Sequence, residues 1–173
     1  MVEYPRRRGS SHGGPASQSL RVRANTAMAD EQPTSPDQQL TTSGPVLLID
    51  DDEDVRDVLA IYLRRAGIPT IVAPDGVAGI ALLRDGVRPS AIIVDLMMPG
   101  MNGIAFRAEQ RANPEWAAIP LIIFSGADEA AETAERVGAA AFLMKPAEPR
   151  VLVELIQRFY APSQDDQAKG STE

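Results

Sequence analysis

The stretch "VLLIDDDEDVRDVLAIYLRRAG", residues 46–67, sets two periodicities back to back. Its first four residues are apolar without alternation, as expected of a strand buried on both faces. After the acidic run, Val55, Val58, Leu59, Tyr62 and Leu63 recur at i, i+3, i+4, i+7 and i+8, and Gly67 stands where a helix would stop. The stretch therefore predicts a strand at 46–49 and a helix over 53–66.

Working outward, apolar runs of strand length recur as "IPTIVA" (68–73), "AIIV" (91–94), "IPLIIF" (119–124) and "AAFLM" (140–144), separated by segments of helix length. A final amphipathic pattern, Leu152, Leu155, Ile156 and Phe159, predicts a helix over 149–159, with Pro149 suited to its first turn. Strands alternating with helices imply a doubly wound α/β domain over residues 44–160: a five-stranded parallel sheet with right-handed crossovers and helices on both faces. Folds of this kind bind ligands at the carboxyl ends of their strands.

The flanks read differently. Residues 1–43 are rich in Ser, Gly, Gln, Thr, Pro and Arg and too poor in apolar residues to bury a core, so they are expected to be a disordered tail, as is the polar stretch 161–173. Arg6, Arg7, Arg8, Arg21 and Arg23 precede Met28, whereas Asp30, Glu31 and Asp37 follow it, which suggests Met28 as the native start; a native terminus at Met1 or Val2 would dismiss this. No run approaches the roughly 20 apolar residues of a membrane span, and no apolar core of a secretory signal is present, so a cytoplasmic protein is expected. The absence of cysteine removes disulfides and thiol chemistry. A net charge of −7 disfavours a broad electrostatic grip on nucleic acid.

The residues ending each strand make a chemical inventory. The first ends in Asp50, Asp51 and Asp52, the third in Asp95, the fourth in Ser125 and the fifth in Lys145. Two carboxylates about 4 Å apart repel by roughly 4 kcal/mol at an effective dielectric near 20. The cluster therefore needs a cation, and a small set of oxygen ligands suits Mg2+, which keeps several waters and accepts phosphate oxygens. Asp50 and Asp51 would hold the metal together with Asp95, joined by the backbone carbonyl of Met97. Asp95 is the candidate nucleophile, forming an acyl phosphate. Lys145 would offer a point charge and Ser125 a hydrogen bond to phosphoryl oxygens.

With these residues in order, the chain resembles the receiver domain of bacterial two-component response regulators, of the single-domain, chemotaxis-regulator-like kind. The resemblance is carried by the Asp50–Asp51 pair after "VLLI", Asp95 in "VDLMMPGMNG", Ser125 after "LIIF", and the pair Lys145 and Pro146. It implies a flavodoxin-like sheet with strand order 2-1-3-4-5. It also implies a phosphoryl group received on Asp95 from a histidine of a sensor kinase or phosphotransfer protein, and a cis bond before Pro146. Phe142 falls where the family carries an aromatic switch residue. By resemblance, phosphorylation would draw Ser125 toward the phosphate and turn Phe142 inward. The fourth helix, fifth strand and fifth helix would then present an altered surface to a downstream protein partner. Met97 and Ala127 stand where the family often places polar groups that influence hydrolysis, so slow self-dephosphorylation is expected. Gly126 replaces a commoner alanine.

Other readings remain beside this one. Glu53 and Asp54 fit a helix N-terminus, where acids favour the dipole. Phe142 is equally a packing residue, and Trp116 is expected to cap the core at the end of the sheet away from the site. Asp128, Glu129, Glu132 and Glu135 suggest an acidic fourth helix facing a basic partner. His12 is the sole histidine and lies in the tail, so the phosphate donor must be another molecule. A rival function is a haloacid-dehalogenase-type phosphatase using Asp50 and Asp52, but the second acidic pair it needs falls at Asp165 and Asp166, beyond the last helix. A third is a degenerate receiver serving as an adaptor without phosphate. The leading expectation is a signalling phosphoacceptor that binds a protein, neither a membrane nor nucleic acid, and is not an enzyme beyond its own phosphorylation and dephosphorylation.

Overall fold

The computed structural model describes residues 44–160 and the pair Arg21–Val22. The expectations placed on the rest of 1–43 and on 161–173, including Met28, His12 and the Asp165–Asp166 pair, lie outside the described residues. Five strands, β1 Val46–Ile49, β2 Thr70–Ala73, β3 Ala91–Val94, β4 Leu121–Ser125 and β5 Ala141–Met144, alternate with five helices, α1 Glu53–Arg65, α2 Gly76–Arg84, α3 Gly103–Ala112, α4 Ala130–Arg136 and α5 Pro149–Ile156. The five strands are parallel, in the order β2-β1-β3-β4-β5. This is the flavodoxin-like 2-1-3-4-5 arrangement.

The unbroken apolar runs follow from a sheet covered on both sides. Leu47, Ile49, Ile92, Val94, Leu121, Ile123 and Phe142 face one core, built with Ile80, Leu83 and Phe106 of α2 and α3 and with Ala130 and Ala134 of α4. Their neighbours Val46, Leu48, Ala91, Ile93, Ile122, Phe124, Ala141 and Leu143 face the other, against Leu59 and Leu63 of α1 and Leu152, Leu155 and Ile156 of α5. Side chains alternate with period two along a strand, so both alternating sets must be apolar when both faces are buried. Each fully buried Leu, Ile or Phe contributes roughly 1.5–3 kcal/mol.

Element ends differ from the sequence reading for local reasons. β2 and β4 begin after Pro69 and Pro120, which lack the N–H a ladder needs, although both proline carbonyls still accept bonds, from Val46 N at 2.7 Å and Ile92 N at 2.9 Å. α5 ends at Ile156 rather than 159, because the bonds tighten there to a three-residue span, Arg158 N to Leu155 O and Phe159 N to Ile156 O. Of the α1 stripe, Leu59 and Leu63 are buried, whereas Val58 and Tyr62 are 45% and 40% exposed. The apolar stripe is therefore wider than the contact it makes.

Arg21–Val22 form a two-residue strand antiparallel to β5, with Arg21 opposite Phe142 and Val22 opposite Ala141. Both residues belong to the polar stretch 1–43 that the sequence reading set apart from the domain. The outer edge of β5 offers unpaired backbone groups, and even a short polar segment can satisfy them.

Candidate functional site

The parallel register sets the site. Ile49 is level with Val94, so Asp50 and Asp95, one residue further along each strand, emerge side by side, tied by Asp95 N donating to Ile49 O at 3.0 Å. Ser125 is level with Met144, so Lys145 follows at the same end, its N donating to Ser125 O at 3.0 Å. The turn after β3 must then pass close to Asp95. Gly103, first residue of α3, sits where a Cβ would run into the Asp95 carbonyl, and Gly100 has φ +72°. That accounts for the glycines in "MMPGMNG".

The four expected side chains come together. Ser125 Oγ donates to Asp95 Oδ1 at 2.6 Å, and Lys145 Nζ donates to Asp95 Oδ2 at 2.7 Å and to Asp50 Oδ2 at 2.6 Å. Oxygens of Asp50, Asp51 and Asp95 lie within 4.8 Å of one another, with Asp50 and Asp95 buried and Asp51 exposed. Trans ligands of an octahedral Mg2+ stand about 4.2 Å apart. A compact all-oxygen set with one solvent-facing member suits such an ion. At Met97 the backbone N–H donates to Asp95 Oδ1 at 3.1 Å, and the residue is 70% exposed.

Electrostatics separate the two buried acids. Burial pushes the Asp50 carboxyl above its ordinary pKa, and its bond from Lys145 offsets this only in part. Burial acts on Asp95 in the same direction, but hydrogen bonds from Lys145, Ser125 and Met97 N outweigh it and hold its pKa below the ordinary value. Burial works against the charge on Lys145, yet the two carboxylates raise its pKa on balance. Its ammonium also lies 5.2 Å from the centroid of the Phe124 ring. The site thus holds an ionised Asp95 beside a charged Lys145.

Other expected residues fall elsewhere. Asp52 caps α1, its Oδ1 accepting from Val55 N at 3.1 Å, so its carboxylate serves the helix and the phosphatase reading loses its second acid. The Lys145–Pro146 bond is cis. Phe142 is 8% exposed and packs in the core beneath α2, α3 and α4. Trp116 is buried in the same core, with its backbone O accepting from Gln110 Nε2 at 3.1 Å. Asp128, Glu129, Glu132 and Glu135 are exposed around α4. One support was missed: Arg56 Nη1 donates to Asp50 O at 2.7 Å and braces the strand end that carries the acidic pair.

This arrangement, with acids at two strand ends and a hydroxyl and a lysine at two others, defines an aspartate-centred receiver. A family model of the response regulator receiver domain matches residues 46–157, and the chain belongs to that family. It is a receiver domain of two-component signalling. Among similar proteins, the DNA-binding response regulator MtrA of Mycolicibacterium paratuberculosis is 30% identical over 126 residues, covering 72% of this chain and 54% of MtrA. The chain thus spans about half the length of that relative. Protein PilH of Pseudomonas aeruginosa is 30% identical over 118 residues, covering 67% of this chain and 97% of PilH. Among solved structures, Vibrio cholerae chemotaxis protein CheY4 superposes with a TM-score of 0.62 at 28% identity, covering 68% of this chain and 99% of CheY4. No helix among the described residues is long and apolar enough to cross a membrane.

Proposed function

We propose that this chain is a phosphorylation-controlled binding module in which Asp95 accepts a phosphoryl group from a histidine of a sensor kinase or phosphotransfer protein. The observation that carries this is the convergence of Ser125, Lys145 and the Asp50–Asp51 pair on one ionised carboxylate. An Asp95 oxygen attacks phosphorus, the O–P bond forms as the N–P bond of the donor breaks, and the imidazole nitrogen leaves with the electron pair. Asp50, Asp51, Asp95 and the Met97 carbonyl would hold Mg2+, which when bound supplies charge neutralisation for the phosphoryl oxygens. Lys145 and Ser125, both now bonded to Asp95, redirect their donors to those oxygens.

The partner has a place to approach. Val55, Val58 and Leu59 of α1 with Phe124, Pro146 and Ala147 line an apolar groove beside Lys145. The output surface is α4, β5 and α5, with Phe142 repacking within the core and Pro146 shaping the loop after Lys145. A shift between two packings needs only a few kcal/mol of differential contacts with the phosphate.

Intact-mass analysis after incubation with a small-molecule phosphodonor and Mg2+ tests this. One phosphoryl group should be gained, and lost in Asp95→Asn or with a chelator. Labelling that survives Asp95→Asn would move the nucleophile to another residue, and no labelling at all would favour an adaptor that works without phosphate.

A further inference from the structure

The edge of the sheet at β5 carries an observation that phosphoryl chemistry does not use. β5 is the terminal parallel strand, "AFLM", without charge or proline, and its inner side is fully paired to β4 through Ile122–Ala141, Ile123–Phe142, Phe124–Leu143 and Ser125–Met144. Its outer side is a strand-accepting edge, the kind of surface that proteins usually cover or charge. Here it is covered from within: Arg21–Val22 pair with it antiparallel, opposite Phe142 and Ala141.

We infer that residues 21–22 act as an intramolecular edge strand that occupies the β5 edge in place of a partner's strand and is loosened when phosphorylation of Asp95 repacks Phe142, which lies opposite Arg21. The functional consequence rests on the output surface proposed above, since β5 is its centre. A ladder of two residues is marginal on its own. Its covalent tether keeps it at high effective concentration, so it closes the edge and still yields to a partner that offers a longer strand or a larger contact. Antiparallel pairs alternate between bonded and non-bonded, so one of the two residues exchanges both its N–H and its C=O with β5. A chain beginning at Met28 carries no such strand.

Amide hydrogen exchange tests this on three proteins: the full chain, a variant beginning at Met28, and the double substitution Arg21→Pro/Val22→Pro, which removes whichever N–H the ladder uses. Without phosphodonor, the outward amides within residues 141–143 should exchange about three- to tenfold faster in both variants than in the full chain. Equal exchange in all three would overturn the inference, as would protection retained in the proline variant. With phosphodonor and Mg2+, and with Asp95 labelling confirmed by mass, exchange at the same amides in the full chain should rise toward that of the Met28 variant. An unchanged rate in labelled protein would leave the strand as permanent edge cover and overturn the loosening. Failure to label Asp95 would instead count against the proposed function, while the comparison without phosphodonor still decides the pairing.

Discussion

Nζ of Lys145 lies 2.6 Å from Oδ2 of Asp50 and 2.7 Å from Oδ2 of Asp95. One ammonium therefore holds two buried carboxylates that would otherwise repel. Lys145→Met should destabilise the metal-free protein by roughly 1–3 kcal/mol, less than the 3–5 kcal/mol of a fully buried pair because the lysine keeps some solvent contact. Urea unfolding in a chelator checks this. The deficit should be largest near neutral pH and shrink as the carboxylates protonate. In the wild type, the raised pKa of Lys145 contributes stability below the lysine's ordinary value of 10.5, and that contribution is lost as pH rises through the raised value. Equal urea midpoints for the two proteins at pH 7 would count against the pairing.

The two acids should respond to neutralisation with opposite signs. Asp95 has a lowered pKa, so its charge stabilises the fold above the ordinary carboxylate value of 3.8, and that stability is lost as pH falls through the lowered value. Asp50 has a raised pKa, so its charge costs stability once pH passes above that value. In a chelator at pH 7, Asp95→Asn should lower the urea midpoint and Asp50→Asn should leave it unchanged or raise it. The reverse order would show that Lys145 serves Asp50 first.

Much of this was legible from residue order, for a physical reason. A sheet buried on both faces writes its strands as unbroken apolar runs, and the first residue after each run must stand at the rim, so the positions of Asp50, Asp95 and Lys145 follow from the sequence alone. Ser125 was placed one position too far, since it is the last residue of β4 and not the first beyond it. The bracing of Asp50 by Arg56 was not legible, because a side chain from the first turn of α1, six residues downstream, reaches back to the strand end only when the turn between them has a particular shape. Nor was the pairing of Arg21–Val22, which depends on an edge elsewhere in the chain rather than on local apolar content.

Gly126 offers a test of stiffness at the loop after β4. A Cβ there would meet the Lys145 Cβ at 3.7 Å, ordinary contact, and the backbone is not left-handed. Gly126→Ala should therefore stabilise the fold by about 0.4–1 kcal/mol through the unfolded state. A thermal melt that moved downward would show that the loop needs the glycine.

Gly103→Ala should do the opposite. Its Cβ would meet the Asp95 backbone, which cannot rotate away, and overpacking of this kind costs about 1–3 kcal/mol. The same substitution should slow labelling of Asp95, since relief requires the strand end to move. Unaltered stability with unaltered labelling would show that the α3 start can slide.

Hydrolysis of the acyl phosphate should be slow, because neither Met97 nor Ala127 can hold an attacking water. Met97, 70% exposed beside the site, is the accessible position for adding such a group. Met97→Asn should shorten the phosphoryl half-life about tenfold, below the roughly hundredfold at the low end of general acid–base catalysis, because an amide orients a water without taking its proton. A wild-type half-life of only seconds, followed by mass, would refute the slow-hydrolysis reading itself.

The contact between Lys145 and Asp50 joins residues 95 positions apart. No fragment of the chain shorter than that span holds both, and the unfolded chain has no reason to bring them together. Competence to be labelled is therefore a property of the assembled sheet. A phosphodonor with intact-mass detection would double as a probe of native population, counting the molecules in which the strands β1, β3, β4 and β5 stand in register at the moment of exposure.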